Sequence, residues 1–275
     1  MRAAIAGQSL DCCVLLVDIV PVANAGKTFR RVLKARLLRA ALGAFGRPMP
    51  ADTRGLVVIA PHPDDEVLAC GGLLALAAKA GRAVAIVYLT SGESSHADCC
   101  DVGPSQVARE REQLAISAAG ELGIGGASLH FLRLADGAIP TQGGEALGPA
   151  DASVAAIIAS VGPCEVYCPH PLDCREDHVN ASLLTQAATR QCGADCTLRF
   201  YLTWGYFKLP LLAAVRLLRA RPWSLDIGGV LGAKKAAMDR YCRQLAPCGQ
   251  PYVGKLPPGF VEFFISGREC FLDRP

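Results

Sequence analysis

The stretch Val57 to Gly72, VVIAPHPDDEVLACGG, places one imidazole and three carboxylates within five residues, His62-Pro63-Asp64-Asp65-Glu66, directly after an apolar run. A second polar cluster, HPLDCREDH from His170 to His178, follows the segment EVYCP, which reads as a strand. His62, Asp65 and His178 together offer two imidazoles and a carboxylate, a set that divalent zinc accepts while leaving a coordination position open for water. Such an ion lowers the pKa of its bound water and polarises a carbonyl, and a nearby carboxylate such as Asp64 can remove a proton during attack. Acids at a helix start are also favoured by the helix dipole without any catalytic role. Here the accompanying histidine, the preceding strand and the matching cluster at a second strand end favour a metal. Imidazole and carboxylate suit other divalent ions too, so Zn2+ is the expected cofactor, with Fe2+ as the alternative.

These residues need a frame that brings two distant segments together. From Gly55 onward, short β-branched runs alternate with longer helical ones, which predicts parallel strands joined by crossover helices. Strands are expected at 56–60, 84–90, 129–134, 165–169, 198–203 and 261–266, and helices at 66–80, 105–122, 151–160, 178–189 and 232–245. In an open parallel sheet, ligands bind outside the carboxyl ends of the strands, where both polar clusters fall. Residues 205–231, with Pro210, Pro222 and Gly228-Gly229, read as a less regular insertion.

The net charge of +3 conceals an asymmetry: residues 1–51 hold eight Lys/Arg against two Asp, leaving twenty basic and twenty-three acidic residues in the remainder. Lys27 to Arg47 carries seven basic residues and no acidic one and reads as a helix. Phe29, Val32, Leu33 and Leu37 fall on one face opposite Arg30, Arg31 and Lys34, although Arg36 interrupts the apolar face and Leu38 lies among the charges. This helix is either a solvated element packed on the domain or a peripheral contact, through 27–47, with anionic lipid or an anionic glycolipid. Nucleic-acid binding is not expected, because the basic residues lack interleaved aromatics and the rest of the chain is acidic. The expected organisation is an N-terminal extension over 1–50, a linker within Arg47 to Gly55, and one domain over 51–275.

No run of eighteen uncharged apolar residues occurs, so no membrane-spanning helix is expected. The apolar stretch Cys12 to Val17 and the motif Ala23-Asn24-Ala25 resemble parts of a signal peptide, but Asp11 and Asp18 interrupt it and the apolar core is short; a cytoplasmic protein is expected. The thirteen cysteines are scattered with no CxxC pair, which argues against a zinc ribbon and reads as small buried hydrophobes. Cys164/Cys168 and Cys192/Cys196 are the pairs spaced by four.

PHPDDEVLACGG resembles the first motif of the PIG-L (LmbE-like) family of zinc-dependent N-acetylglucosaminyl deacetylases, and DCREDH resembles its second. SGE at Ser91 to Glu93, Arg109/Glu112, LADG at Leu134 to Gly137 and KKAAMDRYCRQ at Lys234 to Gln244 are similar to further family segments. The resemblance implies a Rossmann-like, mostly parallel sheet with helices on both faces. It implies that His62, Asp65 and His178 bind the metal, that Asp64 is the general base, and that Arg109 holds the substrate; the bland reading of Arg109 is a helical pair with Glu112. Glu66 and Gly71-Gly72 read as structural, the glycines permitting close approach of helix and sheet. Asp173 and Asp177 read as residues that orient a metal histidine.

The family's second motif usually places a histidine where this chain has Arg175. A guanidinium can donate hydrogen bonds to an oxyanion, but it stays protonated and is a poor general acid. Proton delivery to the leaving amine then falls to Asp64 or to His170; the bland alternative for His170 is a strand-end histidine bonded to Asp173. The implied reaction is hydrolytic removal of an N-acetyl group from an N-acetylglucosamine-type amino sugar in a glycoconjugate, lipid-linked or anionic. An amidase for a larger N-acyl or thiol-conjugate glycoside, or a metal-containing carbohydrate-binding domain without turnover, are the alternatives.

Overall fold

A computed structural model describes residues 22–97, 99–140, 147–219 and 222–273; the apolar stretch Cys12 to Val17 lies outside them. The chain runs through α1 (Val22–Phe45), β1 (Arg47–Pro48), β2 (Gly55–Ala60), α2 (Asp65–Lys79), β3 (Val84–Thr90), α3 (Pro104–Glu121), β4 (Leu129–Leu134) and α4 (Leu147–Val161). It continues through β5 (Cys164–Pro169), α5 (Glu176–Gln191), β6 (Cys196–Tyr201), α6 (Gly205–Lys208), α7 (Leu211–Arg219), β7 (Trp223–Asp226), α8 (Leu231–Arg243), α9 (Phe260–Phe264) and β8 (Arg268–Phe271).

Five strands form one parallel sheet in the order β4-β3-β2-β5-β6. β2 and β5 are buried at every residue; β2 accordingly reads as an unbroken apolar run, whereas β5 includes Glu165, a buried carboxylate paired with Arg82 at 3.0 Å. The chain steps outward from β2 to β4 and then crosses back to β5. With right-handed crossovers, this reversal puts α2 and α3 on one face and α4 and α5 on the other. The reversal also opens a crevice between the carboxyl ends of β2 and β5. Their register, with Val58 opposite Tyr167, carries the loop after Ala60 and the loop after Pro169 to the same edge.

The face bearing α2 is capped by α8, and the three-stranded sheet β1-β7-β8 closes the flank. Lys234 of α8 donates to Glu269 of β8 at 2.7 Å and to the Leu68 carbonyl at 2.9 Å, and Glu269 accepts from the Gly72 and Leu73 amides at 2.7 and 2.9 Å. This buried, hydrogen-bonded ion pair ties α2, α8 and β8 together. The glycine pair of α2 allows a close approach, but to this layer rather than to the sheet. A Cβ on Gly72 would lie 2.5 Å from Ile227, and one on Gly71 would lie 3.0 Å from Lys234.

Two expectations are overturned. The segment 261–266 is not a strand: Gly259, at φ 72°, turns the chain into α9, whose Phe260, Phe263 and Phe264 are buried together against Tyr206 and Phe207. Spacing of three and four suits a helix, and the aromatic content mimics a strand. In α1, the packed face is Ala35, Leu38 and Leu42, whereas Phe29, Leu33, Leu37 and Phe45 are exposed. Leu38 is buried among charges because Arg39 folds its guanidinium over Phe263, 4.1 Å from the ring centre, and Lys34 reaches the Leu209 carbonyl. The end of the N-terminal extension is structured, since β1 pairs in parallel with β7.

Candidate active site

The loop from β2 into α2 delivers His62, Asp64 and Asp65. Asp64 sits at the N-terminal cap of α2 with φ 136°, a conformation that a non-glycine residue adopts only under constraint. The constraints are visible. The Asp64 amide donates to Glu66 Oε2 at 2.9 Å, the Leu68 amide donates to the Asp64 carbonyl at 2.9 Å, and Tyr241 of α8 donates to Glu66 Oε1 at 2.6 Å. Burial pushes the Glu66 carboxyl up to about 7. Glu66 is thus the strut that shapes the Asp64 turn.

The second loop supplies Asp173, Arg175, Asp177 and His178. His178 and Asp173 are buried, and Asp173 Oδ2 is 2.7 Å from His178 Nδ1. Asp173 also accepts from the Thr203 hydroxyl and amide and from the Gly205 amide, all within 2.8 Å. A carboxylate so saturated fixes the proton on Nδ1 and presents Nε2 to the cavity. His62 is held in the same way from the opposite side: its Nε2 lies 3.0 Å from Asp136 Oδ1 and 3.1 Å from Asp177 Oδ2, leaving Nδ1 turned towards Asp65.

His62 Nδ1 and His178 Nε2 are 3.3 and 3.4 Å from the same oxygen, Asp65 Oδ2. An ion with ligand bonds of ~2.0–2.2 Å has ligand-to-ligand edges of this size, so the three donors fit a divalent metal. Charge agrees with geometry. Asp64, Asp65, Asp136 and Asp177 converge here, and Arg111 is the buried guanidinium that faces them. His62, despite burial that disfavours its charge, is driven well above the ordinary histidine range by its bonds to Asp136, Asp177 and Asp65. Burial raises Asp136 too, but its bond to His62 wins and holds it well below the usual carboxylate range. These acids call for a cation at their centre. Asp64 differs: burial and the neighbouring Asp65 charge lift its carboxyl well above the ordinary range, against the pull of Arg111.

Two sequence expectations are corrected. Arg109 lies on the exposed face of α3, and its expected partner Glu112 instead accepts from Arg133 and Ser91. The arginine of α3 that reaches the site is Arg111, which donates to the Pro63 and Gly92 carbonyls at 2.7 and 3.1 Å and lies 3.4 Å from Asp64 Oδ1. Its signal was in the sequence: it occupies the buried stripe of α3 with Val107, Leu114 and Ala118. Gly92 makes room for it, since a Cβ there would meet the guanidinium at 2.3 Å. His170 does not line the cavity. It is buried, its Nδ1 accepts from the Leu172 amide at 3.0 Å, and its ring packs edge-on to Phe200, apart from the residues that line the cavity.

Asp136 was missed as a site residue. It follows β4, a third strand end, in an Asp-Gly turn, and that placement was the available clue. Arg175 lines the cavity at its exposed rim, with its guanidinium carbon 4.4 Å from the centre of the Trp204 ring. The cavity holds about 460 Å3 and is completed by Ser94, Ser95, Val253, Gly254, Lys255 and Phe260.

The fold and site define a Rossmann-like α/β protein with a two-histidine, carboxylate-rich pocket at the reversal point of its sheet, whose His62, Asp65 and His178 are candidate metal ligands. Residues 57–189 match the PIG-L family model, described as GlcNAc-PI de-N-acetylase. Among solved structures, it is similar to the conserved protein TT1542 from Thermus thermophilus, at 26% identity, TM-score 0.58, and coverage of 80% of this chain and 94% of that one. The N,N'-diacetylchitobiose deacetylase of Pyrococcus horikoshii shares the fold at 19% identity and TM-score 0.54, covering 82% and 80% of the two chains. So does GalB, the 4-carboxy-2-hydroxymuconate hydratase of Pseudomonas putida, at 20% identity and TM-score 0.57, covering 77% and 82%. No curated protein matches the sequence.

Proposed function

We propose that this protein is a zinc-dependent N-deacetylase that hydrolyses the acetamide of an N-acetylglucosamine-type sugar within a glycoconjugate. The observation that carries this reading is the arrangement of Asp64 beside the donors His62, Asp65 and His178, with both imidazoles locked by carboxylates from behind. A divalent cation held there would supply a Lewis acid for the amide carbonyl and acidify water. The protein's own part centres on Asp64. Its raised pKa suits a group that takes a proton from water as the C–O bond forms and returns it to nitrogen as the C–N bond breaks, yielding acetate and an amine. The same carboxyl can serve both steps, so neither His170 nor a histidine at position 175 is needed. Arg111 and Glu66 hold Asp64 in its strained turn, and Arg175 at the rim has donors to offer an acyl oxygen or an anionic acceptor.

The acceptor side is cationic. Lys255 lines the cavity, Lys208 lies 5.1 Å over the same Trp204 ring as Arg175, and burial, then Arg175 and more weakly Arg31 of α1, disfavour the Lys208 charge. Arg31 thus lies near Lys208, and α1 also exposes Phe29, Leu33 and Leu37. This favours an anionic or lipid-linked acceptor met at a membrane surface through 27–47. Among the described residues no helix is long and apolar enough to cross a membrane.

The test is acetate release from a panel of N-acetylglucosaminyl acceptors by zinc-reconstituted protein. Release that disappears in Asp64→Asn with metal content retained is expected. Sugar binding without acetate, or release of a larger acyl group alone, would replace this reading. For the membrane contact, co-sedimentation with vesicles containing anionic lipid is expected at low salt and not with neutral vesicles.

A further inference from the structure

We propose that His96, Cys99, Cys100 and Cys248 form a second metal centre, a closed Cys3His zinc site that staples together two loops forming one wall of the cavity. Their donor atoms all lie within 4.8 Å of one another. His96 Nδ1 is 3.0 Å from Cys99 Sγ, 3.5 Å from Cys248 Sγ and 3.8 Å from Cys100 Sγ. Cys99 Sγ is 3.5 Å from Cys248 Sγ and 3.8 Å from Cys100 Sγ. A tetrahedron with bonds of ~2.3 Å to sulfur and ~2.0 Å to nitrogen has edges of roughly 3.5–3.8 Å, close to the spacing observed.

The imidazole is set up as a ligand. His96 is buried, and its Nε2 lies 3.0 Å from the Pro251 carbonyl oxygen. A carbonyl only accepts, so Nε2 carries the proton and Nδ1 keeps its lone pair, pointed at the three sulfurs. A disulfide does not account for the cluster. These sulfur separations are far beyond the ~2.05 Å of an S–S bond, and a single bridge would leave a third thiol and the imidazole lone pair without a purpose. Cys192 and Cys196, with sulfurs 3.7 Å apart, lack this completion, since neither belongs to a group of three or more candidate donors among the described residues.

The set is the one that structural zinc prefers: four protein donors, soft thiolates and no position left for water. Binding Zn2+ would release three thiol protons and leave neutral His96 unchanged. The ligands come from two loops, the turn after β3 that carries His96, Cys99 and Cys100, and the turn after α8 that carries Cys248. These loops already touch, because Ser95 Oγ donates to the Tyr252 carbonyl at 2.9 Å. They place Ser94, Ser95, Val253 and Gly254 on the cavity wall, and the Ser94 amide donates to Asp136 at 2.8 Å. Zinc here would therefore fix the wall that buttresses Asp136 and His62, without taking part in chemistry.

The experiment uses the full chain purified under reducing conditions, with zinc and cobalt(II) as probes. Two zinc equivalents per chain are expected, and cobalt substitution should give the sulfur-to-metal charge-transfer and tetrahedral d–d bands of a thiolate site. Cys248→Ser should lose one equivalent and shift those bands, while His178→Ala should lose one equivalent and leave them intact. Should either variant fail to fold, the cobalt-substituted wild-type protein decides: sulfur-to-metal bands abolished by an organomercurial with release of one metal equivalent support the site, and their absence overturns it. One equivalent in total with no thiolate bands would overturn it.

Discussion

The two donor clusters of this protein stand on neighbouring loops and differ in every respect that chemistry can use. At His62, Asp65 and His178 the donors are nitrogen and oxygen, three in number, at the floor of a cavity, with Asp64 beside them. At His96, Cys99, Cys100 and Cys248 they are mostly sulfur, four in number, and complete. The first leaves room for a substrate and the second leaves none. Their supports differ as well. Carboxylates stand behind both imidazoles of the first, which strengthens them as ligands and fixes their aim, whereas a backbone carbonyl stands behind His96.

The contrast can be broken at the base. Asp64→Asn keeps the shape of the side chain and removes its ability to move a proton; kcat is expected to fall by about 10^2–10^4-fold with metal content unchanged. A fall in metal content to match the activity would make Asp64 a ligand instead. One step out, Asp173→Asn leaves His178 in place but weakens the bond that orders it, and the affinity of the nitrogen–oxygen site for zinc should drop by about 10–100-fold. The thiolate cluster should be untouched, which chelator titration followed by metal analysis would show. Arg111→Ala should lower kcat by up to about 10^2-fold by releasing the Asp64 turn. Arg109→Ala, on the exposed face of the same helix, should leave steady-state kinetics near the wild-type values.

The smallest effect lies away from both clusters. Asp52 accepts from Arg54, which holds its carboxyl down at about 2, below the usual 3.8. A depressed folded-state value contributes stability above the unfolded value near 4 and loses it as pH falls through about 2. For a partly exposed pair this is under about 1 kcal/mol. Denaturant melts of Asp52→Asn should therefore differ slightly from wild type at pH 7 and converge with it in acid.

How much of this was legible in the sequence follows the same division. His62, Asp64, Asp65 and His178 announce themselves because each pair of neighbours is local and each cluster ends an apolar strand. The parallel sheet was legible because β2, β3 and β5 are buried almost throughout and are mostly apolar and β-branched or aromatic. Arg111 was hidden by a neighbour of the same type two positions away, and only its place in the buried stripe of α3 separates them. The helix α9 was hidden by aromatics that read as a strand. The thiolate cluster was hidden because Cys248 lies 149 residues from Cys99, so no local spacing could reveal it. The glycine pair in α2 was read correctly as a close approach, but the partner, Ile227 of the capping layer, comes from a segment without a regular pattern.

The fold alone does not select a reaction, as a hydratase shares it. The central claim is that Asp64 and the His62/Asp65/His178 site cleave an acetamide. The most direct measurement is acetate released from an N-acetylglucosaminyl glycoconjugate by metal-free protein as zinc is added back, run beside Asp64→Asn. Acetate and free amine appearing in equal amounts in step with zinc occupancy, and absent from the variant at the same occupancy, is the result expected. Zinc bound at that site with no acetate from any acceptor, or equal release by the variant, would contradict the account.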